Sequence, residues 1–154
     1  ACMAMLSQTL QRFGCDAKRQ YLLGESLGVA GAVALAANEP DTLAAMAVTA
    51  GTMKAYDWVA NEWSDESSNA AETAVAECWR GPTLIAHGLQ DDTAPAKHGE
   101  AIASALLDRR VAREQVQPQS AREVIFLPFP GVGHDLCHSV YANSALLEWV
   151  MAQS

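Results

Sequence analysis

Three residues in this chain are of the right type and order to carry nucleophilic chemistry: Ser26, Asp91 and His134. Ser26 sits at the centre of Gly24-Glu25-Ser26-Leu27-Gly28, the G-x-S-x-G spacing of a nucleophile elbow. A serine hydroxyl is a poor nucleophile at neutral pH. It needs a base to take its proton, and the base needs an acid to orient it. His134, in the Gly-rich loop Pro130–His134, is the candidate base, and Asp91, in the loop after Ala86, is the candidate orienter. The helix that follows the serine, starting near Leu27, aims the partial positive charge of its N-terminus at the reacting centre.

Other residues compete for these roles. His138 is the rival base and His87 a more distant one, better suited to loop geometry beside Gly88. His98 stands at a helix start and reads as a surface residue. Asp92 is the rival acid, and Asp92 or Thr93 could instead cap the helix that follows.

The elements that position these residues follow from hydrophobic pattern and turn chemistry. A helix over 3–13 puts Leu6, Leu10 and Phe13 on one face and stops at Gly14. A short apolar strand, Gln20–Leu23, leads into the serine turn. A sharp strand-to-helix reversal predicts that both glycines are needed for space and that the serine backbone is strained. The next helix is rich in Ala and Gly from Ala30 to Ala37, slim enough to lie close on a sheet, and ends at Asn38 and Pro40. Leu43–Thr49 reads as a strand buried on both faces.

Residues 52–80 differ: they are acidic and hold Trp58, Trp63 and Trp79. The stretches 53–63 and 70–78 have helix-compatible composition around a loop at 64–69. An ordinary crossover and a lid are both open readings of this insertion. Core elements resume with a strand at Thr83–Ala86, a helix over 97–110 closed by Arg109 and Arg110, a polar loop from Gln115 to Arg122, and a strand at Glu123–Phe129. Ser139 is expected to cap a final helix carrying Leu146, Leu147 and Val150. Alternating strands and helices predict one α/β domain over 1–154 with a parallel sheet of about four strands. Ser26, Asp91 and His134 would then all lie at the carboxyl ends of strands, where such sheets gather functional groups.

Composition bounds the function. Half of the 154 residues are hydrophobic, which gives a globular chain with a core. A net charge of −8 argues against nucleic acid and anionic membrane as partners. There is no run of 18 apolar residues for a transmembrane span. The start, Ala1-Cys2-Met3, lacks a signal-peptide pattern, so a cytoplasmic location is the expectation, and the missing Met points to a processed chain or a fragment. Cys2, Cys15, Cys78 and Cys137 have no C-x-x-C spacing. That argues against a metal site and for buried free thiols, and no cofactor is expected.

Taken together, these residues resemble the α/β-hydrolase superfamily, in particular its monoacylglycerol-lipase and serine-aminopeptidase-like members. Tyr21–Gly28 resembles their elbow, Pro82–Pro95 their H-G-x-x-D-x-x-x-P acid loop, and Pro130–Leu136 their histidine loop. The resemblance runs from the helix before the elbow to the last helix. It implies Asp91 rather than Asp92 as the acid, His134 rather than His138 as the base, and a cap over the acyl pocket within 52–80. It also implies a serine hydrolase acting on small-molecule carboxylic esters; Trp58 and Trp63, expected near the mouth, favour an apolar acyl group, and Glu25 is a further candidate substrate contact. An acyltransferase or peptidase on the same triad, and a non-catalytic remnant or interaction module, are the alternatives. The resemblance implies the Leu27 backbone N–H as one oxyanion donor; family members have four more strands before the elbow, and a loop there supplies a second. No counterpart is visible here, and losing such a donor costs about 2.7–4 kcal/mol. The elbow strand would then be an open edge, ready to pair in a homodimer or with a missing N-terminal half. Val29 stands where the family often has a further glycine.

Overall fold

In the computed structural model, residues 2–57, 59–60, 62–63, 70–116 and 123–153 are described. Helix α1 (Cys2–Phe13) comes first, then strand β1 (Tyr21–Glu25), helix α2 (Leu27–Asn38) and strand β2 (Ala45–Thr49). Two short strands, β3 (Tyr56–Asp57) and β4 (Glu62–Trp63), precede helix α3 (Ala70–Cys78). Strand β5 (Thr83–Gly88), helix α4 (Ala96–Val116), strand β6 (Val124–Phe129) and helices α5 (Cys137–Tyr141) and α6 (Ser144–Met151) complete the chain.

The main sheet has four strands in the order β1-β2-β5-β6, and every pair is parallel. Leu22 lies opposite Met46, Met46 opposite Thr83, and Thr83 opposite Val124. The two central strands are buried along their whole length, as their near-continuous apolar residues require. Their side chains alternate between two cores. Met46, Val48 and Ile85 pack with Val29, Val33, Val75 and Ile102 from α2, α3 and α4. Ala47, Leu84 and Ala86 pack with Leu136, Val140, Leu146 and Val150 on the other face. Helix α2 buries Val29, Ala32, Val33 and Ala36, a helical i, i+3, i+4, i+7 stripe.

Several expectations change. Among the described residues of 53–63 there is no helix: β3 and β4 are an antiparallel pair with Tyr56 opposite Trp63, whose rings meet edge-to-face at 4.9 Å. Aromatic cross-strand pairing outweighs helix-compatible composition there. Trp79 and α3 belong to the core rather than to a cover, since Val75, Ala76 and Trp79 are all buried. Helix α4 runs six residues past Arg110, so its arginines are not at its end; Arg109 pairs with Glu77 of α3 and Arg110 with Glu114. Ser139 lies inside α5, and the cap of α6 is Asn143, whose side chain accepts from Ala145 N at 2.9 Å. Phe13 is 69% exposed under the Arg12 guanidinium rather than facing inward with Leu6 and Leu10. Cys15 and Cys78 are exposed and Cys137 is half-buried, all as free thiols, so these three are not core residues. Most of the expected 115–122 loop, and that at 64–69, lie outside the described residues.

Candidate functional site

The turn between β1 and α2 is built by close approach. Ser26 has φ 52° and ψ −121°, in the half of backbone space that favours glycine, which costs of order 1–3 kcal/mol and persists only where neighbours hold it. Those neighbours are visible. Ser26 N donates to Thr49 O at 3.0 Å, and Val29 N returns to Ser26 O at 3.1 Å. A Cβ on Gly24 would sit 2.8 Å from Ala32 Cβ and 3.0 Å from Gly28 O. Gly28, by contrast, has nothing within 4 Å of a Cβ, so the expectation that both glycines are needed for space holds only for Gly24. Gly51 is the second close approach, and the motif spacing does not reveal it. A Cβ there would meet Val29 and the Ser26 carbonyl. Val29 is buried in that contact, which gives this position a packing role.

Ser26 Oγ lies 2.9 Å from His134 Nε2, and His134 Nδ1 lies 2.8 Å from Asp91 Oδ2. A carboxylate only accepts, so Nδ1 carries the ring proton and Nε2 is left as an acceptor facing the serine hydroxyl. Asp91 is 7% exposed and saturated with donors. Its Oδ1 accepts from Thr93 N at 2.9 Å and Ala94 N at 2.8 Å, which turns the loop after β5. The adjacent His87, fully buried, donates from Nε2 to Ala94 O at 2.8 Å and lies 3.3 Å from Asp91 Oδ2.

The acid loop and the histidine loop are joined backbone to backbone. Leu89 N donates to Phe129 O at 3.0 Å and Gln90 N to Val132 O at 2.9 Å. A Cβ on Gly88 would lie 2.4 Å from the carbonyl oxygens of both Val132 and Gly133. That approach is the physical reason for glycine beside His87.

The rivals sit elsewhere. Asp92 is exposed at a cavity rim, and His138 is exposed on α5 beside Asp135 and Cys137. His98 is not a surface residue: it is 3% exposed, with its ring edge-on to Trp63 at 5.1 Å. Gly99 lets α4 press onto His87, because a Cβ there would lie 2.4 Å from His87 Nδ1.

A cavity of ≈ 590 Å³ opens beside the serine, lined by Ser26, Leu27, Thr52, Tyr56, Trp63 and Pro95, among others. Of the expected substrate contacts, Trp63 lines this cavity, while Glu25 does not and instead faces Cys137 at the end of β1. Trp58 lies outside the described residues. Leu27, 74% exposed, is the first residue of α2, where a helix leaves its N–H groups without intrahelical carbonyls. Tyr141 is a contributor that no motif announced. Its hydroxyl donates to Gly24 O at 3.2 Å and lies 3.2 Å from Thr49 Oγ1, tying the ends of β1 and β2 beneath the turn. Burial pushes its pKa above the ordinary phenol value.

The arrangement of strands and helices has counterparts among solved structures. A thermostable esterase superposes with a TM-score of 0.72 at 16% identity, over 99% of this chain and 36% of the esterase. This is the α/β-hydrolase fold. The acylaminoacyl peptidase of Pyrococcus horikoshii shares it, with a TM-score of 0.71 at 16% identity, over 96% of this chain and 26% of the peptidase. So does a Paleococcus ferrophilus monoacylglycerol lipase, with a TM-score of 0.67 at 13% identity, over 99% of this chain and 75% of the lipase. Five further neighbours are spanned over 22% to 58% of their own length. The chain therefore corresponds to part of most of these α/β-hydrolase-fold proteins. No family model and no curated protein matches it in sequence.

Proposed function

We propose that this α/β-hydrolase-fold chain carries the reacting centre of a serine hydrolase that cleaves carboxylic esters through an acyl-enzyme. Ser26 Oγ attacks the ester carbonyl carbon while His134 Nε2 takes its proton. The imidazolium then gives that proton to the leaving alkoxide, and Asp91 stabilises the charged ring throughout. Water, deprotonated by the same nitrogen, attacks the acyl-enzyme and releases the acid. The Leu27 N–H at the start of α2 donates to the carbonyl oxygen as it becomes negative. One observation carries this reading: the continuous relay of 2.9 Å and 2.8 Å from Ser26 through His134 to a buried Asp91.

The strained Ser26 backbone supports the same roles, since such strain clusters at reacting centres. Trp63 and Tyr56 give the neighbouring cavity an aromatic wall suited to an apolar acyl group, and we assign the β3–β4 pair to its cover. With one oxyanion donor assigned, turnover by this chain alone is expected to be about a hundred- to a thousand-fold below that of a two-donor site.

Hydrolysis of a chromogenic ester of a medium-chain acid tests the proposal. Asp91→Asn keeps the shape of the loop but lets the wrong tautomer of His134 form, so kcat should fall about 10⁴-fold with little change in KM. A variant that loses less than about tenfold would remove Asp91 from this role. Adding an alcohol acceptor to the same assay separates hydrolysis from acyl transfer.

A further inference from the structure

Just beyond the histidine relay, the chain turns sharply into α5. Leu136 is fully buried and anchors the turn, with Leu136 N donating to His134 O at 2.8 Å and Val140 N to Leu136 O at 3.1 Å. Asp135, Cys137 and His138, on either side of that anchor, are left at the surface or half-buried. One ligand atom from each lies within 4.8 Å of the others. The Cys137 thiol donates to Asp135 Oδ1 at 3.7 Å. Its pKa is raised, first by hydrogen bonding to the Glu25 carboxylate, then by burial and by the charges of Glu25 and Asp135.

We propose that Asp135, Cys137 and His138 form a binding site for a thiophilic divalent cation of the zinc class. The donor set decides the class of ion. Sulfur, imidazole nitrogen and carboxylate oxygen together suit zinc, whereas calcium and magnesium take oxygen. Tetrahedral zinc bonds of about 2.0–2.3 Å place ligand atoms roughly 3.5 Å apart. The three donors therefore close in by about 1.3 Å at most, within the reach of exposed side chains.

On binding, the thiol S–H bond breaks, the proton leaves to solvent and a sulfur–metal bond forms. The two positive charges offset the thiolate and the Asp135 carboxylate. The absence of C-x-x-C spacing hid this site. Its ligands come instead from a single D-x-C-H turn. Asp135 is the chain neighbour of His134, so the ion would brace the turn that follows the histidine loop.

Titration of the reduced chain with Zn²⁺ by calorimetry, and with Co²⁺ by absorbance, tests the site independently of any hydrolytic activity. The expected result is one equivalent bound, a thiolate-to-cobalt charge-transfer band, and a higher Tm with zinc. Cys137→Ser and His138→Ala should each weaken zinc binding by more than about tenfold, while Ser26→Ala binds like the parent. Magnesium and calcium should not compete. Failure of the chain to bind zinc, or parent-like affinity in both ligand variants, would overturn the proposal. His138 is exposed, so His138→Ala remains a valid test if Cys137→Ser folds poorly.

Discussion

At the scale of single residues, the two glycines around Ser26 have different jobs. Gly24 faces Ala32 Cβ and the backbone oxygen of Gly28, and a backbone atom cannot move aside cheaply. Gly24→Ala should cost about 1–3 kcal/mol by overpacking. Gly28 faces open space within a helix, and Gly28→Ala should be neutral or stabilising by about 0.4–1 kcal/mol through the unfolded chain. Urea denaturation of the two variants measures both, and equal costs would refute the assignment. The same scale shows what was legible in sequence. Ser26, Asp91 and His134 stand out by type, spacing and order, and the structure brings these three together. Gly51 and Tyr141 do not stand out. Their roles come from contacts with Ser26 O and Gly24 O across 25 and 117 positions of chain, and no local pattern encodes such distances.

At the scale of elements, helices and strands with a strong period were readable, and those set by distant partners were not. The α2 stripe and the apolar β2 and β5 runs announce themselves, because each must bury its apolar positions on the sheet. The β3–β4 pair did not, since its stability rests on the Tyr56–Trp63 contact and on the ring of His98 beyond it. Another device in this region is an ion pair. Lys54 Nζ lies 3.4 Å from Glu72 Oε1, with side chains 7% and 0% exposed, and neither Glu72 oxygen has hydrogen-bonding geometry to a partner. The pair ties the segment after β2 to α3 with little geometric help. Lys54→Met should therefore leave a stranded buried carboxylate and cost about 3–5 kcal/mol. Adding Glu72→Gln should recover part of that loss. A double variant no more stable than Lys54→Met would show that the ion pair is not the cause.

At the scale of the whole molecule, the sheet is covered by helices on both faces and has two edge strands among the described residues, β1 and β6, of which β6 carries Pro128, a residue with no N–H to offer a pairing strand. Strand β1 pairs only with β2 among the described residues, and Leu23 is 47% exposed. Beside it runs a groove of ≈ 560 Å³ between α1 and the sheet, lined by Leu6, Leu10, Tyr21 and Leu22, among others. An open edge with apolar surroundings is a template for strand addition. We expect the isolated chain to self-associate through β1. Light scattering should show a dimer that a proline at Leu23, whose loss of N–H blocks pairing, converts to monomer. A monomeric parent chain would contradict this. No described helix is long and apolar enough to cross a membrane. The fold and the placement of Ser26, Asp91 and His134 at strand ends make one claim testable before all others, namely that Ser26 is an activated nucleophile. Incubation with a fluorophosphonate probe, followed by mass spectrometry of the peptides, reads it directly. The account predicts one adduct, on Ser26, lost in Ser26→Ala and slowed at least a hundredfold in His134→Ala. A folded parent chain that takes no label, or takes it elsewhere, would contradict it.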